Sequence, residues 1–317
     1  MNAELRTAII GVGVLAVLLG LTTGMIWIER RVLAWFQDRL GPNRVGPFGL
    51  LQPVADVIKL FMKEDWIPPF ADRVIFTLAP AILPATSFLA FIVVPFTPDI
   101  KVSDANVGLI FVLGMTSIGV YSVMLAGWAS NNKYSLIGGM RAAAQMISYE
   151  IPLALSLVGV VILAGSLRLI DIVNAQASTW FCVLQPLGFA VFLIAGIAEA
   201  RRIPFDLPEA ESELVAGYHT EYSSMKFALF FMGEYLDIML ISALATVLYL
   251  GGWHGPILPP IAWFAVKMFA IVFLFIWLRA TLPRYRFDQL TSLGWKWLLP
   301  LSLVNIVATG GIALAIK

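Results

Sequence analysis

The sequence has 317 residues, of which 60% are apolar or aromatic and only 13% are charged, with a formal net charge of +1 at pH 7. Charged residues make up about a quarter of an ordinary soluble domain, so this chain cannot cover a water-facing surface, and we predict an integral membrane protein. The low net charge excludes a nucleic-acid-binding protein that works by neutralising phosphates.

Cysteine and histidine are too scarce for a redox or metal centre. Cys182 is the single cysteine, which excludes disulfides, four-cysteine iron–sulfur clusters and cysteine-based zinc sites. The two histidines, His219 and His254, lie far apart in the sequence, so we expect no metal site. If the protein takes part in redox chemistry, the electron carriers must belong to other chains.

Eight stretches are long and apolar enough to be membrane-spanning helices. A bilayer core about 30 Å thick requires about 20 mainly apolar residues per helix, and runs such as 9–20 lack the alternation of a membrane β-strand. The predicted fold is all-α and polytopic, a single membrane domain over residues 1–317. The predicted spans are 8–28, 74–95, 107–127, 151–168, 180–198, 228–250, 258–279 and 297–316.

Basic residues are concentrated in the loops that follow the odd-numbered spans. Fifteen of the 21 lysines and arginines fall in these loops, and four fall on the opposite side. The positive-inside rule therefore predicts that these loops are cytoplasmic and that both chain termini face the outer side of the membrane.

The first predicted cytoplasmic loop, residues 29–73, is too long and too patterned for a simple connector. After a turn-rich stretch at 41–47, Pro53 begins a segment in which Val54, Val57, Ile58 and Phe61 share one helical face. This spacing predicts an amphipathic helix in the plane of the membrane interface; a plain surface anchor would have the same pattern. Charged residues occupy much of the remaining surface: Asp56, Lys59, Lys63 and Glu64.

The loop after the fifth span, residues 199–227, is rich in acids. Pro204 and Pro208 interrupt the preceding helix, and Asp206 followed by Glu209 resembles a helix capping box, in which Glu209 would be only a cap. Carboxylates crowded beside an apolar bundle repel one another, which should raise some of their pKa values. The carboxylates of this loop are Glu199, Asp206, Glu209, Glu211, Glu213 and Glu221.

Three further acids lie at or near membrane depth. Glu150 directly precedes the fourth span, and Glu234 and Asp237 lie three residues apart in the first part of the sixth, on one helix face. An ionisable group at a helix centre costs about 2.5–3.5 kcal/mol on insertion, so its default interpretation is a proton or ion path. The alternative is an internal ion pair, with Lys267 or Arg279 of the seventh span as partner.

Several distinctive stretches occur in one order along the chain. They are Glu29-Arg30-Arg31, Gly41-Pro42-Asn43-Arg44-Val45-Gly46, Ala55-Asp56-Val57-Ile58-Lys59, Lys63-Glu64-Asp65, residues 141–150, residues 204–211 and residues 221–235. In this order they closely resemble, over essentially the whole chain, the H-type membrane subunits of bacterial NADH:quinone oxidoreductase, respiratory complex I, and their mitochondrial counterpart, NADH dehydrogenase subunit 1.

The resemblance implies a subunit at the joint between the membrane arm and the peripheral redox arm. Its loops would enclose much of the channel through which quinone, the substrate, enters from the lipid, and its carboxylates would couple quinone reduction to proton pumping. The implied proton path comprises Glu150, Glu199, Glu209, Glu213, Glu221 and Glu234, to which we add Asp237. The implied quinone channel comprises Glu29, Arg30, Asp56, Lys59 and Glu64, to which we add Asp206.

The same resemblance implies the partners and the location. FMN and iron–sulfur clusters would lie on partner subunits, and the partners would be the quinone-site subunits of the peripheral arm, small and antiporter-like membrane subunits, and lipid, with no nucleic acid. The location would be the bacterial inner membrane, with the termini on the periplasmic side.

Two other functions stay open. The equivalent membrane subunit of a membrane-bound hydrogenase or ferredoxin-linked complex would share the acidic loop but needs no quinone channel. A stand-alone secondary transporter often shows two matching halves, and we find no such internal repeat in this sequence.

Overall fold

Long apolar helices account for most of the chain in the computed structural model, which describes residues 3–207 and 215–316. Within these ranges the elements are helices and turns, without a β-strand. The helices are α1 (Ala3–Phe36), α2 (Gln52–Met62), α3 (Arg73–Phe91), α4 (Gly108–Ala129), α5 (Lys133–Ala164), α6 (Leu169–Ala175), α7 (Phe181–Leu184), α8 (Pro186–Glu199), α9 (Ser224–Leu248), α10 (Pro260–Thr281), α11 (Phe287–Leu293) and α12 (Leu299–Ile316). A π-helical stretch, Gly294–Leu298, joins α11 to α12.

The predicted all-α, multi-pass membrane fold is confirmed. In the described part of the chain, seven helical segments are long and apolar enough to cross a membrane, with α11 and α12 counting as one. The remaining predicted span, the fifth, corresponds mainly to α8, an apolar helix of 14 residues, which is shorter than a bilayer core requires. The predicted amphipathic segment is helical too, as α2.

Two helices extend well beyond the predicted spans into the predicted cytoplasmic loops. α1 continues to Phe36, so Glu29 and Arg30 lie on a helix and not in a loop. α5 begins at Lys133, where the Asn132 side chain caps it by accepting a hydrogen bond from the Tyr134 backbone N–H at 2.9 Å. The hydropathy pattern marks only the apolar part of such a helix, and Glu150 therefore lies inside α5 and not before it.

The fifth predicted span, 180–198, is broken into α7 and α8. Gln185 has a non-helical backbone (φ −132°, ψ 61°) and Pro186 begins α8. Proline lacks the backbone N–H that would continue the hydrogen-bond ladder and its ring clashes with the preceding turn, so a helix begins more readily at this residue than it passes through.

The loops with most of the basic residues gather at one end of the bundle. The Asp72 backbone N–H bonds to the Ala129 carbonyl at 3.1 Å, which joins the start of α3 to the end of α4. The Tyr285 N–H bonds to the Pro204 carbonyl at 3.2 Å, which joins the loop after α10 to the loop after α8. We call this the basic end, and the predicted orientation makes it the cytoplasmic end.

The core is built around α9. Two thirds of the most apolar window of α9 is buried, a larger share than in any other described span, whereas the shares for α1 and for α11–α12 are 17% and 22%. Glu234 and Asp237 lie on this central helix, so the surrounding helices hold them away from lipid. The exposed apolar faces of α1 and α12 are left for lipid or for other membrane subunits.

Candidate functional site

A buried cluster of ion pairs at the basic end joins α1, α9, α10 and the loop after α8. Glu29 of α1 is buried and accepts hydrogen bonds from Arg279 of α10 and, at 3.4 Å, from Arg202. Arg202 also lies 3.9 Å from a carboxylate oxygen of Glu234, and its guanidinium stacks 4.6 Å from the centre of the Tyr235 ring. Arg202 therefore connects a residue predicted for the quinone channel to one predicted for the proton path.

Tyr218 supplies a hydrogen bond to Glu234 from the turn before α9. Its hydroxyl donates to the Glu234 carboxylate at 3.1 Å, and the residue is fully buried. Glycines make this position accessible: a Cβ atom on Gly138 of α5 would lie only 2.7 Å from the backbone of Gly217, so a larger residue would push the turn away. The local sequence thus brings a phenol against an intramembrane acid.

Asp237, one turn further along α9, has a different set of partners. Its carboxylate accepts a hydrogen bond from the Ser87 hydroxyl of α3 at 2.6 Å and one from Arg201 at 3.2 Å. The Arg201 side chain is 1% exposed. The ion pair that the sequence left open as an alternative therefore exists, but the predicted partners Lys267 and Arg279 are wrong for both α9 acids.

Arg201 reaches Asp237 from an unusual backbone position. It follows the end of α8 with φ +54°, in the left-handed region that usually belongs to glycine. The Arg202 N–H turns back to the Ile197 carbonyl at 3.4 Å, which is the hydrogen bond of a Schellman helix end. A Cβ-bearing residue in this region costs about 1–2 kcal/mol, so the side chain of Arg201 is stabilised there by its other contacts.

Glu199, the last residue of α8, is the most isolated acid of the site. It is 5% exposed, and neither carboxylate oxygen has a hydrogen-bond partner among the described residues. Its charged neighbours are Glu150, Asp237 and Arg201. Glu199 faces a small cavity of about 10 Å³, close to the minimum for one water molecule. The lining includes Thr86, Ser87, Thr116, Met146, Glu199 and Asp237.

Glu150 lies where this polar interior meets the outside of the bundle. It is half-buried on α5 and accepts a hydrogen bond from the Ser117 hydroxyl of α4. The predicted proton-path residues Glu150, Glu199, Glu234 and Asp237 are thus brought together although they are up to 87 residues apart in the sequence.

Five of the predicted site acids form a continuous series of electrostatic neighbours. Asp206 and Glu234 repel each other, Glu234 repels Asp237, and Glu199 is flanked by Asp237 and Glu150. We call this series the acid line; it runs from the loop at the basic end to the half-buried Glu150. A change in the charge of one of these groups alters the electrostatic potential at the next, because the apolar surroundings screen it weakly.

Asp206 is the member of the acid line at the basic end. Burial raises its pKa to about 7, and the nearby charge of Glu234 acts in the same direction. Arg284, 2.9 Å from the carboxylate, opposes this increase. The predicted increase of pKa in the acidic loop is found here, but removal of the carboxylate from water is a larger cause than crowding.

The remaining proton-path predictions stay outside the acid line. Glu209 and Glu213, like Glu211, lie outside the described residues, and so does the Glu209 half of the predicted capping box. Glu221 accepts a hydrogen bond from the Asn132 side chain at 2.6 Å, so it borders the start of α5. The described contacts place Asp206 against Arg284 and Glu234, with the proton-path acids.

The predicted quinone-channel residues of α2 lie at the edge of the bundle. Asp56 pairs with Arg30 of α1 at 2.7 Å and lies 3.9 Å from Lys59. The predicted apolar face is exposed, with 58% of Ile58 and 71% of Phe61 accessible, as expected for a helix that lies against lipid. Glu64, just beyond α2, is exposed.

Polar contacts hold the end of α2 against the start of α9. The hydroxyls of Ser223 and Ser224 donate to the carbonyls of Glu64 and Leu60, both at 3.0 Å. Beside these contacts lies an open cavity of about 460 Å³. Its lining consists of Lys59, Leu60, Lys63, Tyr222, Ser223, Ser224 and Phe227.

Several residues of the site were not predicted from the sequence. Arg201 and Arg202 are not among the predicted site residues, yet they pair with Asp237, Glu29 and Glu234. Tyr218 was not predicted at all, and no periodic signal distinguishes it. Two adjacent arginines between an apolar helix and a Pro-Phe-Asp turn were the available indication that acids lie nearby.

Comparison with known proteins gives one consistent family. Residues 9–310 match the family described as NADH dehydrogenase. An H-type NADH-quinone oxidoreductase subunit of Geobacter metallireducens is 58% identical over 305 residues, which cover 93% of each chain. The H-type subunit of the same enzyme in Methylococcus capsulatus is 55% identical over 96% of this chain and 97% of its own. One from Rhodopseudomonas palustris is 54% identical over 99% of each chain.

Proposed function

The chain belongs to the NADH dehydrogenase family of membrane subunits, and from that premise we propose that it admits quinone from the lipid and couples quinone reduction to proton pumping in a bacterial NADH:quinone oxidoreductase. Its relatives are named as subunits of NADH-quinone oxidoreductase, so the activity belongs to a multisubunit membrane complex. The quinone channel and the coupling of its reduction to proton movement are the parts that we propose.

The observation that carries the proposal is the acid line. Asp206, Glu234, Asp237, Glu199 and Glu150 form an unbroken series of interacting carboxylates inside an apolar bundle. A chain that needed only a stable bundle would gain nothing from such a series, because each buried charge opposes membrane insertion. Proton transfer, by contrast, requires groups that can gain and lose a proton beside one another.

The cavity between α2 and α9 supports the proposed quinone entrance. Its volume of about 460 Å³ falls within the range of pockets that hold small organic molecules. Apolar Leu60 and Phe227 line it together with Lys59 and Lys63. Ammonium groups donate hydrogen bonds, so this lining suits a molecule with an apolar tail and carbonyl groups that accept them. The exposed apolar face of α2 beside it suits contact with the lipid from which quinone comes.

We propose that the charge of the bound quinone couples its reduction to proton movement. Asp56 of α2 pairs with Arg30 of α1. The preceding residue of α1, Glu29, pairs with Arg202, which also lies 3.9 Å from Glu234. A change in the charge of quinone near the first pairs would alter the field at Glu234 and thereby the proton occupancy of the acid line. Moving one charge through the membrane field requires about 2.3 kcal/mol per 100 mV, a bias that coupled titration of several acids can supply.

Partner subunits complete the proposed assembly. We assign FMN and the iron–sulfur clusters to the peripheral arm, and we expect a second membrane subunit to cover the α4–α5 face. Glu150 is half-buried at membrane depth on that face, and contact with lipid would cost the free energy of an exposed ionisable group. Acids of that neighbouring subunit next to Glu150 would extend the acid line beyond this chain. The basic end then faces the cytoplasm and the termini face the periplasm.

Substitution of Glu234 tests the proposed function. In the assembled complex reconstituted into vesicles, Glu234→Gln should lower NADH-driven proton uptake by about 100-fold, the scale for losing a proton-transferring side chain. Electron transfer from NADH to a soluble artificial acceptor should be unchanged. The matched control is Asp99→Asn, an exposed acid at the opposite end.

Two results would contradict the proposal. Glu234→Gln complexes that pump like the parent would show that the acid line is not part of the proton path. Redox subunits that co-purify with the chain but reduce protons or ferredoxin, without sensitivity to quinone-site inhibitors, would favour the related hydrogenase or ferredoxin-linked complex.

A further inference from the structure

Arg201 lies beside two acids of the acid line, Asp237 and Glu199, that differ in their hydrogen-bond partners. Its guanidinium is 3.2 Å from the Asp237 carboxylate, and it is also a charged neighbour of Glu199. Asp237 accepts a second hydrogen bond from Ser87, whereas Glu199 has no hydrogen-bond partner among the described residues. Both carboxylates are therefore close to the Arg201 guanidinium, but only Asp237 forms an ion pair with it.

The backbone of Arg201 indicates that its side chain is required there. Its φ of +54° lies in the left-handed region, where asparagine or glycine is tolerated better than a long side chain. An ordinary helix end would use one of those residues. The side chain is 1% exposed, so the arginine does not serve as a solvated surface charge.

We propose that Arg201 is a positioning residue of the acid line, which holds Asp237 in the ionised form and thereby leaves Glu199 as the acid that takes up and releases the proton at the middle of the line. This inference rests on the proposed function, and it divides the acids into one fixed partner and one exchanging group. It also explains why Glu199 faces the water-sized cavity without a direct hydrogen bond: a carboxyl group that must exchange a proton needs access to water or to the next acid.

The charge around Glu199 makes the roles testable. The charged groups that face it are Glu150 from α5, Asp237 from α9 and Arg201 from the loop after α8; the polar groups around the cavity are the hydroxyls of Thr86, Ser87 and Thr116. Removal of Arg201 makes this site more negative by one charge, and removal of the Asp237 charge makes it less negative by one. Removal of both restores the original balance.

Three variants of the assembled complex form the experiment: Arg201→Asn, Asp237→Asn and the double variant. Asparagine suits the left-handed backbone at position 201 and is nearly isosteric with aspartate at position 237. The measurement is NADH-driven proton uptake into vesicles as a function of pH, with Arg39→Asn, an exposed arginine, as the matched control.

The expected shifts have opposite signs. Arg201→Asn should move the pH optimum of pumping upward by about one unit, because the added negative charge retains the proton of Glu199 at higher pH; one unit is a tenfold change in proton affinity. Asp237→Asn should move the optimum downward, because Arg201 is released to pair with Glu199. The double variant should return the optimum to within a few tenths of a unit of the parent.

Other outcomes overturn the inference. A purely structural ion pair would lower the amount of assembled complex in both single variants without moving the pH optimum. Shifts in the same direction, or a double variant whose shift is the sum of two like shifts, would show that Arg201 does not set the charge at Glu199. Failure of the proposed function is recognised separately, since Glu234→Gln would then pump normally while the Arg201 variants could still change assembly.

Discussion

Each end of the bundle contains an aspartate paired with an arginine, but the pKa values of the two aspartates are shifted in opposite directions. At the end opposite the basic end, Asp104 accepts hydrogen bonds from two nitrogens of Arg168 and from Lys101, and these contacts lower its pKa to about 2. At the basic end, Asp206 is paired to Arg284 at 2.9 Å, yet burial raises its pKa to about 7. The presence of an arginine therefore does not decide the charge of an aspartate.

The difference lies in solvent access and in the neighbouring charges. Asp104 keeps contact with water and has only cations as strong neighbours, so ionisation is favourable at any physiological pH. Asp206 is buried beside Glu234, and its single arginine does not compensate for the loss of hydration. The Asp104–Arg168 pair therefore fixes loops in place, whereas burial leaves Asp206 able to change charge near neutral pH.

Lys267 gives the strongest test of the structural character of the opposite end. Its ammonium group donates to the carbonyls of Leu250, Gly252 and His254 at 2.6–3.0 Å and lies 4.3 Å from the Trp180 ring. Lys267→Met would leave three carbonyls without their donor, and we expect a loss of about 3 kcal/mol in stability, since each orphaned buried acceptor costs 1–3 kcal/mol. Thermal inactivation of the purified complex measures this loss.

Lys267→Met should leave the coupling of electron transfer to proton pumping unchanged. Complexes that do assemble should pump with the same ratio of protons to electrons as the parent, since the hydrogen-bond partners of Lys267 do not belong to the acid line. The control is Lys296→Met, which changes an exposed lysine in the same way and should alter neither property. A lowered ratio in the Lys267 variant would show that the two ends are coupled.

The two aspartates should differ in the pH dependence of stability. The pKa of Asp206 is about 7 in the folded protein and 3.8 in an unfolded chain, so the folded state binds more protons between these values and loses stability as the pH rises through 7. Asp206→Asn removes this pH-dependent contribution to stability. The melting temperature of the variant minus that of the parent should therefore increase from pH 6 to pH 8.

Asp104→Asn should show no such pH dependence between pH 6 and pH 8. The pKa of Asp104 is about 2 when folded, so its stabilising contribution is complete above about pH 4 and is lost only as the pH falls toward 2. For this partly exposed group we expect a loss of about 1 kcal/mol, constant from pH 6 to pH 8. A pH-dependent difference for Asp104→Asn in this range would contradict the assignment.

The smallest expected effect is that of Arg168→Lys. Lysine keeps the positive charge but cannot form the two parallel hydrogen bonds of a guanidinium to Asp104. We expect a small loss of stability, as for other exposed ion pairs, with unchanged pumping. Differential scanning calorimetry of the complex at low salt would detect it, and about 0.5 M salt should reduce the difference because exposed ion pairs are screened.

Much of the site was predictable because acids are rare in apolar sequence. Glu234 and Asp237 stand out on α9, and their spacing of three residues placed them on one helix face. Glu150 was identified too, although its position inside α5 was not, since hydropathy does not mark the polar extension of a long helix beyond the bilayer. The position of Glu199 at the end of α8 followed from the proline-containing turn.

The partners of these acids were not predictable. Lys267 and Arg279 are the cations of the seventh predicted span, so they were the natural partners for α9, yet Lys267 binds backbone carbonyls and Arg279 binds Glu29. Pairing depends on how α8 ends: a left-handed Arg201 turns the chain so that two successive arginines face α9. A sequence pattern does not contain that direction.

Composition and local spacing alone determined that this chain is a multi-pass helical membrane protein, with acids in or beside its apolar spans and basic loops on one side. Those conclusions depend on transfer free energies and helix periodicity, which are properties of short segments. Tertiary structure alone decided which acids are neighbours, which arginine holds which carboxylate, and that Asp206 binds its proton near neutral pH while Asp104 does not. Electrostatic interaction and desolvation depend on distances between segments far apart in the chain, and only the packed bundle sets those distances.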